Sequence, residues 1–310
     1  MTKIVIATRE SPLALWQANR IKSLINQSRP DLGVELLGIT TEGDKTLGTS
    51  LTKIGGKGLF VKELEQAMLN GEADLAVHSM KDVPIELPPQ FCITAILERE
   101  EVRDAFISNR FGALDNLPAG SVIGTSSLRR ESQIRRRYPN LKIRPLRGNV
   151  QTRLKKLDDG SYDGIVLAAA GLRRLGLSER IASHLDVDVS IPAAGQGALG
   201  IECLSSRDDI HELVAPLDDK KTRTCVEMER TISRRLGGSC TSPIGAYARF
   251  SGDVLKMDAF VSSPDGKNSI RVSGFSDERH VDGMRLGGNL ADELVTRGAL
   301  DVIEKTKVSE

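Results

Sequence analysis

Three groups of side chains in this sequence could do chemistry: a Lys-Asp pair, a cluster of arginines and a cysteine in a glycine-rich loop. Lys81 and Asp82 sit in DLAVHSMKDVP, residues 74–84. Leu75, Ala76 and Val77 fit a short buried strand. The residues from His78 to Asp82 turn polar at its C-terminal end, and Pro84 stops any continuation. Ligands of open α/β sheets sit in the crevice outside the carboxyl ends of strands, so the pair is placed for chemistry. A carboxylate beside an ammonium stays ionised and can hold a positive charge or pass a proton. A solvated turn is the competing reading.

The arginines are concentrated in residues 125–153, where eight Arg and one Lys face a single acid, Glu131. The whole chain carries 43 basic and 42 acidic residues, so any basic site must be local. Nucleic-acid binding, a solvated helix face and a polycarboxylate pocket all fit such a cluster. Arg129 and Arg130 open a helix and Arg147 leaves a strand, so these come from successive sheet edges. Arg135 to Arg137 fall late in their helix, where the macrodipole favours cations, and belong to the surface. Aromatic residues make up only 4% of the chain, which offers little stacking for nucleic acid.

Cys240 lies in LGGSCTSPIG, residues 236–245, a loop that can present its sulfur. An incidental exposed thiol is the plain alternative. Cys92 and Cys203 fall in apolar strand contexts and Cys225 within a helix, where thiols are buried and inert. The four cysteines show neither CxxC nor metal-ligand spacing, and the four histidines show no zinc motif. The expectation is therefore no metal, and reduced thiols in a cytoplasmic protein. The absence of a long apolar run or a leader-like start points the same way.

The elements that must position these groups follow from periodicity. Residues 4–7 read as a strand, and Ser11 with Pro12 starts a helix through Ala14, Ala18, Ile21 and Ile25. Residues 34–40 complete a βαβ unit. Residues 41–58 carry five glycines with Lys45, Lys53 and Lys57, a basic loop that suits a lid or a plain linker. A helix over 59–70 and a strand over 92–97 follow, then a charged crossover at 98–104. A second α/β unit has strands at 122–124, 141–144 and 164–168. Residues 191–203 carry the chain back, which implies two lobes, a cleft and a hinge. A small α+β domain closes the chain, with a helix over 222–236, strands near 255–261 and 270–272, and a helix through Leu286, Leu290 and Leu294.

Six stretches, in this order, resemble the porphobilinogen deaminase family essentially end to end: ATRESPLALWQ (7–17), GGKGLFVKELE (55–65), AVHSMKDVP (76–84), GTSSLRR (124–130), RGNVQTRL (147–154) and PAAGQGALG (192–200). One motif departs, because Ser239 stands where the family usually has Gly before the loop cysteine, Cys240. The resemblance implies two lobes like those of periplasmic binding proteins, 1–97 with 198–216 and 98–197, plus a C-terminal domain at 217–310. It implies an enzyme that joins four porphobilinogen molecules head to tail, releases ammonia at each addition and frees the linear tetrapyrrole by hydrolysis. The primer would be a dipyrromethane cofactor on a thioether to Cys240.

By the same resemblance, Ser79, Lys81, Asp82, Thr125, Ser127, Arg129 and Arg130 would hold the cofactor. Arg9, Ser11, Gln17, Arg147, Arg153 and Arg174 would bind substrate or the growing chain, with Lys53, Lys57 and Phe60 acting from the lid. Asp82 is the residue suited to stabilise the azafulvene cation that remains when ammonia leaves. The partners expected are the small-molecule substrate alone, with no nucleic acid or membrane, and a monomer. A two-lobed solute-binding or effector-sensing protein shares the lobes and the Arg-lined cleft, but leaves Cys240 and the third domain unexplained.

Overall fold

The computed structural model describes residues 2–45, 58, 60–238, 242–276 and 283–308. The first stretch runs β1 (Lys3–Arg9), α1 (Pro12–Ser28), β2 (Gly33–Ile39), α2 (Glu42–Lys45), α3 (Lys62–Leu69), β3 (Leu75–Ser79) and β4 (Phe91–Ile96). Next come β5 (Asp104–Ile107), β6 (Val122–Gly124), α4 (Leu128–Arg137), β7 (Lys142–Arg144), α5 (Val150–Asp158), β8 (Gly164–Ala168), α6 (Ala169–Arg174) and β9 (Ser183–Leu185). The chain ends with β10 (Leu199–Leu204), α7 (Asp208–Val214), α8 (Lys220–Arg235), β11 (Ile244–Ser251), β12 (Val254–Ser262), β13 (Ser269–Ser276), α9 (Gly283–Thr296) and α10 (Ala299–Val308).

These elements form two compact units, residues 1–100 with 197–223 and residues 101–196 with 224–310. The first holds a five-stranded sheet in the order β2-β1-β3-β10-β4. The second holds a sheet in the order β7-β6-β8-β5-β9 and the three-stranded antiparallel sheet β11-β12-β13. The two five-stranded sheets share one plan. Three parallel strands are followed by one antiparallel strand and a fifth antiparallel to that. In each, the antiparallel strand is the one that adjoins a crossing between units, β10 after the second and β5 after the first.

Local chemistry explains the helix that opens the first unit. Ser11 caps α1 by accepting from the Ala14 N–H at 3.3 Å, and Pro12 fills the first helical position. Ala18, Ile21 and Ile25 are buried against the sheet as their spacing predicts, and Gln17 is buried with them. Three strands fall outside the periodic pattern. Both β5 and β9 are short, and β11 follows directly on the cysteine loop, so neither length nor alternation marks them.

Of the three crossings between units, the two near residues 100 and 197 are tied to each other within each unit. The Glu100 N–H donates to the Gly197 carbonyl at 3.1 Å in the first, and Gln196 Nε2 donates to the Val102 carbonyl at 2.6 Å in the second. Gly197 has φ +90°, and a Cβ there would lie 2.5 Å from the Glu100 carbonyl oxygen. A side chain therefore meets both backbone strain and a rigid neighbour. Gly197→Ala should lower stability by about 1–3 kcal/mol. An unchanged urea midpoint by circular dichroism would show that this contact does not constrain the chain.

Candidate functional site

In the first unit, residues at the ends of β1 and β3 and at the start of α1 line a shallow recess open to solvent. Arg9, Ser11, Gln17, Phe60, Ser79 and Asp82 all contribute to its wall. Asp82 ends a single 3-10 turn, Met80–Asp82, and is exposed, with Lys81 half-buried beside it. Gln17 is 4% exposed, and its amide donates to Ser79 Oγ at 2.8 Å. Because that hydroxyl accepts from Gln17, its own proton is left to donate to a ligand oxygen.

Arg9 stands at the end of β1, with its guanidinium carbon 4.2 Å from the centre of the Phe60 ring. The guanidinium makes a two-pronged pair with Asp44, Nε donating to Oδ2 at 2.9 Å and a second nitrogen to Oδ1. Burial opposes ionisation of Asp44, yet Arg9 and the Thr41 hydroxyl hold its carboxyl below the ordinary range. The helix α2, part of the expected lid, is thus docked on Arg9. Lys53 and Lys57 lie outside the described residues, as do Ser239 and Cys240.

Behind the recess is a cluster that periodicity did not mark. Glu202 on β10 is fully buried, and His78 on β3 is 7% exposed. Their Nε2 and Oε2 atoms are 2.8 Å apart, close but not aligned as a hydrogen bond. Glu65 on α3 joins them. Burial, then the neighbouring charge of Glu202, pushes the Glu65 carboxyl up to about 7, against the opposing pull of His78. A proton on Glu65 gives Glu202 a donor in a place where carboxylate oxygens otherwise lack one.

In the second unit, Thr125 and Ser127 follow β6, and Ser127 is the N-cap residue of α4. The Ser127 N–H donates to Thr125 Oγ1 at 3.2 Å. Arg129 and Arg130, next along, are 4% and 6% exposed and converge on Asp104, itself fully buried. Arg129 approaches Asp104 Oδ2 at 2.8 Å, and Arg130 Nε donates to Oδ1 at 2.9 Å. Ser190 Oγ and Gln196 Nε2 donate to the same carboxylate at 2.7 and 3.0 Å. Burial opposes the charge, but the two guanidiniums hold the Asp104 carboxyl well below its usual range. Two cations against one anion leave the trio with an excess positive charge.

Arg147 and Arg153 flank Gly148, whose φ of +111° turns the chain out of β7 and into α5. Arg153 Nε donates to the Gly148 carbonyl at 2.7 Å, and Lys156 Nζ donates to the Arg147 carbonyl at 3.1 Å. Arg174 ends α6, the helix that follows β8, and is buried. Arg136 and Arg137 are exposed and Arg135 pairs with Glu131, as their place late in the helix predicted. Sequence reasoning missed Asp104, Glu65 and Glu202, and gave His78 no role although it stood inside the central motif. An acid opening the apolar run AFI was the one available sign of Asp104.

Comparison with known proteins points in one direction. Residues 4–212 match the family model described as porphobilinogen deaminase, dipyromethane cofactor binding domain. Residues 223–296 match porphobilinogen deaminase, C-terminal domain. The porphobilinogen deaminase of Laribacter hongkongensis is 53% identical over 309 residues, covering 100% of both chains. That of Chromobacterium violaceum is 55% identical over 303 residues, covering 98% of this chain and 97% of its own. Among solved structures, the methionine-binding protein MetQ aligns over 72% of this chain and 92% of its own, with 13% identity and a TM-score of 0.47.

The raised Glu65 carboxyl has a consequence for stability. The folded protein keeps a proton there that the unfolded chain releases between its ordinary value of 4.5 and about 7. Folding stability should therefore fall as pH rises through that window, since the native state binds more protons. Glu65→Gln mimics the protonated group and should lose this slope. Urea midpoints of both proteins at pH about 5 and about 8 should show the gap moving in favour of the variant at the higher pH. A gap that is equal at both would leave Glu65 without a raised carboxyl.

Proposed function

Because this chain belongs to the porphobilinogen deaminase family, we propose that it is a transferase that joins four porphobilinogen molecules head to tail with loss of ammonia, and then releases the linear product by hydrolysis. The observation that carries this reading is the recess at the ends of β1 and β3, where Asp82 shares a wall with Arg9, Ser11, Gln17 and Ser79. A solute-binding protein would leave the C-terminal domain at residues 223–296 without a role.

The dipyrromethane, when bound, supplies the terminal pyrrole carbon at which addition begins. Each pyrrole carries an acetate and a propionate, and the donor set of this chain fits such a polyanion. Arg supplies forked, permanent cations for carboxylates. In this reading Thr125, Ser127, Arg129 and Arg130, with Ser79 and Lys81, hold the cofactor's carboxylates, and the excess charge of the Asp104 trio favours them. Arg9, Ser11, Gln17, Arg147, Arg153 and Arg174 hold substrate and the growing chain, with Lys53, Lys57 and Phe60 covering them. Arg9 exchanges Asp44 for a substrate carboxylate, one anion for another.

Asp82 holds the cation left when ammonia departs from the substrate and accepts the proton lost when the next ring is joined. Its exposure lets it face the substrate, and the turn at Met80–Asp82 fixes it to the end of β3. Cys240 carries the cofactor. The lobes 1–97 with 198–216 and 98–197, and the domain 217–310 with Cys240, divide these roles among them in the same reading. Among the described residues no helix is long and apolar enough to cross a membrane. A monomer working in the cytoplasm, with no nucleic-acid partner, completes the proposal.

Asp82→Asn should keep the fold and lose roughly 10²–10⁴-fold in turnover, because an amide neither balances a cation nor accepts a proton as a carboxylate does. Product formation from porphobilinogen is the measurement, and near-normal turnover would remove Asp82 from this role. Intact mass and peptide mapping test the attachment. Wild type should carry a two-pyrrole unit on the Cys240 peptide, and Cys240→Ser should carry none, because an alcohol is far less nucleophilic than a thiol. An active but unmodified wild type would overturn the reading.

A further inference from the structure

We propose that Cys92, Cys203 and His211 form a binding site for a thiophilic divalent cation of the zinc class. The site lies at the other end of the first unit's sheet from the recess. Cys203 pairs with Leu75 at the start of β3, whereas the recess is built on Ser79 at its end. The inference does not depend on the proposed reaction.

Two strands and a helix assemble the donors. Cys203 on β10 stands directly opposite Cys92 on β4, and opposed residues of an antiparallel pair project to the same face. The helix α7 packs on that face through Ile210 and Val214, which share an apolar cluster with Cys203. His211 then brings its Nε2 to 3.8 Å from Cys92 Sγ and 3.9 Å from Cys203 Sγ. The three donor atoms all lie within 4.8 Å of one another. With Zn–S near 2.3 Å and Zn–N near 2.0–2.1 Å, a tetrahedral ion sets S···N at about 3.6 Å. A contraction of a few tenths of an ångström would therefore bring both S···N separations to that value.

A second observation orients the ring. Thr94 Oγ1 lies 2.6 Å from His211 Nδ1, so the imidazole is anchored on its far nitrogen while Nε2 faces the sulfurs. Metal-bound histidines nearly always have such a partner. Two thiolates and an imidazole suit zinc-class ions, whereas magnesium and calcium take oxygen donors. Binding releases the two thiol protons to solvent, so the balance needs no oxidant. Cys203 is buried while Cys92 and His211 are half-buried, which leaves a side from which the ion and a fourth ligand, water, can enter. The plain alternative is a set of weak S–H···N contacts that pack the helix on the sheet.

The full chain with its cofactor, treated with chelator and desalted, should bind one equivalent of Co²⁺ with the charge-transfer absorption of thiolate ligation, and Zn²⁺ should displace it. Cys92→Ser and His211→Ala should abolish that signal, and Thr94→Val should weaken affinity by roughly 10–100-fold. Wild type itself supplies a check that needs no variant, since Zn²⁺ should slow alkylation of Cys92 while leaving Cys225 unaffected. Absence of thiolate absorption, its persistence in Cys92→Ser, or equal Cys92 alkylation with and without Zn²⁺ would each overturn the site. A Cys92–Cys203 disulfide recovered by peptide mapping in place of metal would do the same.

Discussion

A fully buried carboxylate, Asp104, holds the second unit together where the chain first enters and first leaves it. It opens β5, four residues past the first boundary, and it accepts from Arg129, Arg130, Ser190 and Gln196. Gln196 is the last residue before the second boundary. One anion thus joins the first two connecting segments to the head of α4. Such a group is costly to bury alone, and removing it would strand two guanidiniums, a loss of about 3–5 kcal/mol in comparable pairs. The network leaves Thr125 and Ser127 on a helix start whose position is set from beneath.

The first unit solves the equivalent problem with Glu65, His78 and Glu202. β10 enters its sheet antiparallel to β3 and places Glu202 within 2.8 Å of His78. Ser79 and Asp82 follow His78 directly, so the buried cluster and the recess share one strand. Ser79 is also held by Gln17 from α1. In both units polar groups in the interior fix the strand ends that carry the exposed functional groups. Precise placement of such groups requires a supporting layer of this kind.

Much of this was legible in local chemistry. Ser11 and Pro12 mark a helix start because the cap and the missing N–H act within one turn. β8 was bounded correctly at 164–168 because an apolar run between polar residues fits a strand buried on both faces. β5 escaped notice because the charged passage before it runs into its first residue, Asp104, and β9 because two of its three residues, Ser183 and His184, are polar. Gln17 interrupts the apolar face of α1, and only the position of Ser79 explains why burying it is tolerated.

The family resemblance was determined by sequence alone, since six ordered motifs are a one-dimensional property that needs no coordinates. Most helices and strands followed from periodicity, which is likewise local, although β5, β9 and β11 did not. Tertiary structure decided which distant residues meet. Asp104 finds Arg129, Glu202 finds His78, and Cys203 finds Cys92 across separations that no spacing rule spans. The thiols show the reason most directly. Their sequence spacing excludes a metal motif, yet an antiparallel register sets them opposite each other and a packed helix adds His211. Strand pairing and helix docking, driven by burial of apolar faces, bring together donors that the chain keeps apart.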